Sequence, residues 1–345
     1  MSDAVAWFRD VGIVDRPTVG GKGGSLGELT QFGIAVPPGF VVTTSAFETF
    51  LEALEAREPV RAKVEALDPN DMGAATKLSE ELRRRVVEEP LPAEVETAIL
   101  AAHGELGAGA VAVRSSATTE DAEDASFAGL QDTFLWVLSG TDMVQKVREC
   151  WGSLYSVESM TYRRKQDFPE SNVAMAVVVQ SMVDARCAGV MFTRSPTSGD
   201  KSVITIEGAP GLGSAVVSGE VTPDRWVMGK ITGEISVRDI SDKHAKQVMA
   251  EGGGIREVEL AGDERTKPCL SDDELQQLRE VGRRIERHYG KPQDIEWAFD
   301  KDGKLMMLQS RPETVWAMKD ASRPVAEPQA NPLAHVMGIF GGGKR

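Results

Sequence analysis

The sequence feature that most constrains the fold is a β-hairpin pattern near the carboxyl end. Two segments of alternating character, 294–299 and 304–312, flank the dipeptide Asp302-Gly303. An Asp-Gly pair between alternating segments is a strong short-range signal for a hairpin, because both residue types tolerate the positive φ of a tight loop. The sequence therefore predicts two antiparallel strands joined by a two-residue loop.

This hairpin groups polar side chains on one face. With the two-residue loop, Glu296 lies opposite Gln309, and Asp294 lies opposite Arg311. Side chains alternate between the two faces of a strand, so three apolar residues take the other face: Ile295, Trp297 and Phe299. Two carboxylates, an amide oxygen and a guanidinium on a rigid sheet suit a Mg²⁺ ion and a phosphate together. The alternative that this pattern leaves open is a solvent-facing strand with surface ion pairs.

A second candidate site is the glycine-rich segment Gly20–Ser25. It resembles a phosphate-binding loop but is not a Walker A motif, because glycine follows Lys22 where serine or threonine is required. Backbone amides at a helix amino terminus bind anions, and a lysine adds charge. A flexible turn with a solvated lysine is the alternative. Arg114 ends an apolar strand pattern, where it either faces a ligand or pairs with Glu120 or Asp121.

The chain changes character near residue 110. Residues 1–110 carry the glycine-rich loop and mainly helical patterns, whereas 111–315 contain most of the strand patterns. We therefore predict a helix-rich amino-terminal lobe followed by a sheet-rich lobe. Residues 316–345 are rich in proline and glycine, which suits a loose tail or a docking arm.

Four longer helices are expected from apolar spacing. They span about 75–88, 93–106, 141–165 and 272–290. The third is predicted as one continuous helix. The last begins with a Ser-x-x-Glu capping box and stops at Gly290.

Composition and charge narrow the classes of partner. The 345 residues suffice for two or three packed units, and 41% hydrophobic residues with 27% charged residues is ordinary for a globular protein. A net charge of −14 and a pI of about 4.9 repel nucleic acid and anionic membrane, so we expect neither as a partner. Three cysteines, no signal-peptide pattern and no apolar run of membrane-spanning length favour the cytoplasm.

Six parts of the sequence, taken in order, resemble the nucleotide-binding domain of the phosphoenolpyruvate synthase and pyruvate phosphate dikinase family. The resembling segments are 19–29; 36–44; 113–121 with 125–129; 189–196; 211–213 with 216–224; and 294–297 with 308–314. Rifampicin phosphotransferase and phenylphosphate synthase are similar over the same domain. Two departures from the family pattern are Pro210 and Ser214, where the family often has an acid at the second position.

The resemblance implies an α+β ATP-grasp fold in which ATP lies between the helix-rich lobe and the sheet-rich lobe. It implies Lys22 and Arg114 at the polyphosphate, Glu296 and Gln309 as Mg²⁺ ligands, and Asp294 and Arg311 near the transferred phosphoryl group. It further implies adenine contacts from the linker that includes Gln180, Met182 and Val183, with Thr133 nearby and Gly129 in a small-residue turn over the phosphates. Catalysis is assigned to four of these residues: Lys22, Arg114, Asp294 and Arg311.

Full-length members of the family carry a phosphorylated histidine on a swivelling domain. The four histidines of this sequence lack the small-residue surroundings of that segment: His103, His244, His288 and His335. We therefore expect a separate subunit to supply the histidine. The resemblance then implies attack on the β-phosphorus of ATP, with AMP and phosphate as products.

The final acceptor is left open by the sequence. The separate ATP-binding subunit of phenylphosphate synthase, whose acceptor is phenol, is favoured over a split phosphoenolpyruvate synthase or a split rifampicin enzyme. The sequence also leaves open a non-catalytic ATP sensor and a kinase that acts directly on a small molecule.

Overall fold

The computed structural model describes residues 3–118, 132–314 and 316. The helices in these ranges are α1 Arg16–Gln31, α2 Thr44–Glu55, α3 Val60–Glu65, α4 Met72–Glu88, α5 Ala93–Glu105, α6 Gly140–Gly152, α7 Val157–Lys165, α8 Ser214–Val217 and α9 Asp272–Tyr289. The strands are β1 Val5–Trp7, β2 Gly39–Val42, β3 Val111–Ala117, β4 Thr133–Val137, β5 Met175–Ser181, β6 Ala185–Phe192, β7 Val203–Pro210, β8 Asp224–Gly229, β9 Ile235–Asp239, β10 Ala245–Met249, β11 Ile255–Glu259, β12 Gln293–Asp300 and β13 Leu305–Pro312. None of the described helices is both long enough and apolar enough to cross a bilayer.

An antiparallel five-stranded sheet has the order β1-β2-β5-β3-β4. It takes strands from both sides of residue 110, so the predicted lobe boundary runs between strands of one sheet. Val177 and Val179 of β5 face a core built with α2 and α4 to α7, where the buried Trp151 stacks on Phe50. Val178 faces the opposite way and packs with residues of α1. Helices therefore cover both faces of this sheet.

A six-stranded antiparallel sheet has the order β13-β12-β6-β7-β8-β9. One face packs against α9 through Trp226, Trp297 and Leu278, all fully buried. The predicted apolar face of the hairpin is therefore confirmed, since Ile295, Trp297 and Phe299 all belong to this core. The opposite face turns toward the five-stranded sheet.

Helix α1 lies against both sheets. It includes the glycine-rich segment that the sequence predicted to be a loop. The segment after Gly20 is helical, and Gly20 itself forms a sharp break with φ 70° and ψ 178°. Glycine is needed after the break because the helix lies close to the sheet. A Cβ at Gly23 would lie 2.9 Å from Val41 Cγ2. The glycines therefore permit close packing of a helix.

The predicted continuous helix over 141–165 is wrong. Helix α6 ends at Gly152, a short 3-10 turn follows, and α7 begins only after Ser156. Ser156 is extended, with φ −65° and ψ 155°, and its side chain accepts a hydrogen bond from Ser159 N at 3.1 Å. A serine that caps a new helix in this way interrupts the old one, because its oxygen takes an amide of the new first turn.

The other three predicted helices are confirmed as α4, α5 and α9. At α9, Ser271 Oγ accepts from Glu274 N, and Glu274 Oε2 accepts from Ser271 N at 2.8 Å. Gly290 follows the helix in a left-handed conformation with φ 66°. These are the two end signals that the sequence carried.

Candidate functional site

The register of the β12–β13 hairpin is as the sequence predicted. Glu296 pairs with Gln309, and Asp294 pairs with Arg311. Directly opposed residues of an antiparallel pair point to the same side, so the four polar side chains share one face. That face is opposite the one that packs on α9.

The loop of the hairpin differs from the prediction. Gly303 N donates to Asp300 O at 3.1 Å and Gly303 has φ 79°, which makes a loop one residue longer than the Asp-Gly pair alone. A bulge then shifts the register between Glu296 and Trp297, leaving Leu308 as the extra residue. The longer loop and the bulge offset one another, so the polar pairs stay in register.

Arg114 joins the two sheets at this point. Its Nη2 donates to Glu296 Oε2 at 2.8 Å and to Gln309 Oε1 at 2.6 Å, while its Nη1 donates to the Leu308 carbonyl at 2.9 Å. The bulge at Leu308 thus presents a backbone carbonyl to the guanidinium. Arg114 is 8% exposed and comes from β3 of the five-stranded sheet. The structure therefore places one predicted phosphate-binding cation beside both predicted metal ligands.

Lys22 lies near the same end of the five-stranded sheet. It is in the first turn of α1 after the break, and the next residue, Gly23, donates its amide to Ser116 Oγ at 3.1 Å. Ser116 follows Arg114 by two residues on β3, so the two side chains lie on the same face. Burial raises the pKa of the Cys150 thiol on α6, and the Lys22 charge opposes that rise. The Lys22 charge is thus near enough to α6 to act on this thiol.

Asp294 is a half-buried carboxylate with one buried, unsatisfied oxygen. Its Oδ1 has no hydrogen-bond partner in the described part of the chain, and its Oδ2 lies 3.7 Å from Arg311 Nε. Burial raises the pKa of Asp294 to about 6, Arg311 acts to lower it, and Glu313 acts to raise it. An ionised carboxylate in this position calls for a positively charged or hydrogen-bonding ligand.

The raised pKa of Asp294 predicts a stability change with pH. Protonated Asp294 favours the folded state, and this contribution is lost as pH rises from about 4 through about 6, where the group ionises in the folded chain. Relative to wild type, Asp294→Asn should therefore gain roughly 2–3 kcal/mol in unfolding free energy between pH 4 and pH 7. Urea unfolding in EDTA measures this difference. Asp242→Asn, at an exposed ion pair with Arg265, is the control and should show no such trend.

The predicted adenine linker connects β5 to β6. Met182 N donates to Ala110 O at 2.9 Å, and Val183 O accepts from Ala185 N at 2.9 Å. The remaining Met182 carbonyl and Val183 amide belong to one peptide unit, which is trans and points these two groups apart. At most one of these two groups can therefore form a hydrogen bond with the same edge of a bound ligand. The side chain of Gln180 is buried, and its Nε2 donates to Pro37 O at 3.4 Å.

An apolar group that the sequence reasoning missed lies beside this linker. We call it the linker cluster, and its members are Leu135, Trp136, Met182, Val183, Ala185, Ala188, Leu212, Ala298 and Leu308. It joins the edge strand β4 to the polar hairpin. The strand-like run of β4 was visible in the sequence, but its contact with β6 and β13 is tertiary. An apolar cluster beside a polar hairpin offers a surface on which a purine ring could pack.

Two further predicted contacts have different outcomes. Thr133 is exposed and pairs directly with Arg114 across β3 and β4, so its side chain lies on the same face as the guanidinium. Gly129 lies outside the described residues, as do Glu120 and Asp121, the alternative partners of Arg114.

The oxygens of the hairpin fit a Mg²⁺ ion. Mg²⁺ is commonly held by one or two carboxylates together with phosphate oxygens. The Glu296 side chain is 29% exposed, the Gln309 oxygen is adjacent, and Asp294 Oδ1 is without a partner among the described residues. Within the same residues there is no group of three or more His, Cys, Asp or Glu side chains that could hold a metal by itself. Nucleotide phosphates would therefore complete the coordination.

Comparison with known proteins identifies the family. A family model described as "Pyruvate phosphate dikinase, AMP/ATP-binding domain" matches residues 16–331. The chain belongs to this family. Its fold is accordingly the mixed α+β ATP-grasp fold.

The relatives of this dikinase-family domain are longer proteins. A probable phosphoenolpyruvate synthase of Methanothermobacter thermautotrophicus is 43% identical over 316 residues, which cover 90% of this chain and 46% of the relative. A probable phosphoenolpyruvate synthase of Methanocaldococcus jannaschii is 42% identical, covering 90% of this chain and 26% of the relative. A rifampicin phosphotransferase of Streptomyces is 43% identical, covering 89% and 35%. The chain thus spans less than half the length of these relatives.

Proposed function

We propose that this chain binds Mg·ATP and transfers the β-phosphoryl group of ATP to a histidine on a separate partner subunit. The observation that carries the proposal is Arg114, a nearly buried guanidinium that bridges β3 to Glu296 and Gln309 at 2.8 Å and 2.6 Å. A fixed cation beside hard oxygen ligands is the arrangement that phosphoryl transfer requires, because catalysis there is mainly alignment and charge neutralisation.

Each residue has a separate role in the proposal. Lys22 and Arg114 oppose the charge of the polyphosphate, while Arg311 and Asp294 act at the phosphoryl group that is transferred. Glu296 and Gln309 would hold Mg²⁺, which supplies charge neutralisation at the phosphate oxygens when bound. The linker cluster and one peptide group of the linker would hold adenine, with Thr133 nearby. The turn that includes Gly129 is proposed to lie over the phosphates.

The proposed reaction forms one nitrogen–phosphorus bond. An imidazole nitrogen of the partner attacks the β-phosphorus, and the bond from that phosphorus to the α-bridging oxygen breaks, releasing AMP. Water then takes the γ-phosphoryl group as inorganic phosphate and leaves phosphohistidine. The part played by this chain is to hold the phosphates in line and to balance their charge.

A partner histidine is supported by where the described histidines lie. His103 contacts the Gly109 carbonyl at 3.1 Å, His288 contacts Glu28 at 2.7 Å, and His244 lies in the loop before β10. None of these three belongs to the cluster around Arg114 and Glu296. His335 lies outside the described residues.

Phenol is the final acceptor that we propose to test first, as in phenylphosphate synthase. The names of the relatives point to two different acceptor reactions, phosphoenolpyruvate formation and transfer to rifampicin. An ATP sensor without transfer activity is the competing function. The intact set of transfer residues favours catalysis over sensing, since sensing does not require Arg311 and Asp294 at the reacting end.

The direct test is incubation with β-labelled ATP, Mg²⁺ and candidate histidine-bearing partners. Acid-labile label on the partner, together with equimolar AMP, is the expected result. ATP binding without AMP formation by any such partner would favour the sensor. Label on the chain itself would contradict a partner histidine.

Glu296→Ala is expected to reduce the dependence of ATP binding on Mg²⁺. Calorimetric titration of ATP in Mg²⁺ and in EDTA gives the ratio of the two affinities, and we expect this ratio to fall by about tenfold or more in the variant, because a carboxylate ligand to the ion is lost. Glu286→Ala is the matched control, since Glu286 is 22% exposed and pairs with Lys230 at 2.8 Å. An unchanged ratio in Glu296→Ala would remove the metal role.

A further inference from the structure

We propose that Ser116 is a positioning residue that holds the break in α1 open and so sets Lys22 against the polyphosphate. The inference rests on the proposed function and extends it to a residue that no phosphate has to touch. Ser116 is fully buried on β3, two positions beyond Arg114. Its hydroxyl bonds to the backbone on both sides of Lys22, at Val19 and Gly23.

The Ser116 hydroxyl lies within the hydrogen-bond ladder of α1. It donates to Val19 O at 2.9 Å and accepts from Gly23 N at 3.1 Å. In a continuous α-helix, the amide of residue 23 would bond directly to the carbonyl of residue 19. Ser116 therefore replaces one direct backbone bond with two bonds through its oxygen. A side chain inserted in this way is an established cause of a sharp helix kink.

The backbone of α1 is shaped to admit this hydroxyl. Between Val19 and Gly23, Gly20 has φ 70°, a conformation that glycine adopts without steric cost. A Cβ at Gly20 would lie 2.1 Å from Ser116 O and 2.3 Å from Ser116 Oγ. The break and the serine thus fit each other closely, and neither is accounted for by the packing of an ordinary helix.

The consequence of the break is a second helix start beside the site. The segment after Gly20 begins a new first turn, and Lys22 lies in that turn. A helix amino terminus attracts anions through its backbone amides and its dipole. Because Ser116 and Arg114 are on the same face of one rigid strand, the hydroxyl fixes this helix start relative to the guanidinium.

The test compares ATP with AMP, since AMP lacks the phosphates that Lys22 opposes. In Ser116→Ala, we expect the affinity for Mg·ATP to fall by about tenfold and the affinity for AMP to change less than about twofold. Ser116→Thr retains the hydroxyl and should restore most of the wild-type ratio of Mg·ATP affinity to AMP affinity. Ser153→Ala is the control, because Ser153 is a buried serine whose hydroxyl donates to Cys150 O at 2.6 Å in the helical layer.

The outcomes distinguish failure of the positioning role of Ser116 from failure of the proposed ATP site. Equal losses for ATP and AMP, or no loss for either, would overturn the positioning role while leaving the site assignment intact. A wild-type chain that binds AMP as tightly as ATP would overturn the site assignment and with it this inference.

A second measurement does not depend on the stability of any variant. Hydrogen–deuterium exchange of wild type should show slower exchange over residues 20–24 with Mg·ATP than with AMP, each at saturation. Equal exchange in the two complexes would show that the helix start does not meet the phosphates, and the inference would be wrong.

Discussion

Arg114→Ala is expected to lower the affinity for Mg·ATP by about 100-fold or more, since hydrogen bonds between charged groups are worth roughly 1.5–3 kcal/mol each. In the proposed complex the variant lacks the guanidinium that contacts the phosphates. The two ligand side chains, Glu296 and Gln309, also lose the group that orients them. Arg114→Lys should recover only part of the loss, because an ammonium cannot reproduce the planar fork. Calorimetry with Mg·ATP measures both variants.

The control for Arg114 is another buried arginine with the same kinds of partner. Arg163 donates to Leu154 O at 2.7 Å and to Glu170 at 2.9 Å, and both ionic side chains are 2% exposed. Arg163→Ala should lower the melting temperature, because it leaves Glu170 as an unpaired buried charge. Folded Arg163→Ala should still bind ATP as wild type does. If Arg114→Ala bound ATP within about threefold of wild type, the proposed site would be wrong.

The hairpin shows how far a local pattern can predict a site. Side-chain alternation is a property of every strand, so the shared face of Asp294 and Glu296 followed from their spacing alone. The bulge at Leu308 could not be predicted from the spacing, because an inserted residue leaves no distinctive sequence signal. That bulge supplies the carbonyl to Arg114, so the sequence predicted the polar pairs but missed the group that anchors their cation.

Helix α1 shows why another part could not be predicted. Its glycines indicated a loop, since glycine has low helix propensity. The observed helix is fixed by packing on Val41 and by Ser116, whose hydroxyl bonds to Val19 across 97 positions of the chain. Local propensity carries no information about such a contact. The roles of the individual site residues came from the family resemblance, and the linker cluster emerged only from the folded arrangement.

Arg311→Ala is expected to reduce AMP formation with the histidine-bearing partner by at least about 100-fold, the loss typical of removing one group that stabilises a transition state. The effect on Mg·ATP affinity should be small, because the proposed role of Arg311 is at the phosphoryl group during transfer. The effect on stability should also be below about 1 kcal/mol, since the Arg311 side chain is 53% exposed and lies 3.7 Å from Asp294.

A loss of turnover without a loss of Mg·ATP affinity would show that Arg311 acts on the phosphoryl group during transfer. Arg265→Ala removes a comparable exposed arginine, paired with Asp242 at 2.7 Å and 2.8 Å, and should leave AMP formation unchanged. Arg311 also acts to lower the pKa of Asp294, so its loss should move the ionisation of Asp294 above pH 6. If Arg311→Ala kept full turnover while Asp294 shifted as expected, Arg311 would tune the carboxylate without serving the transfer, and its proposed catalytic role would be withdrawn.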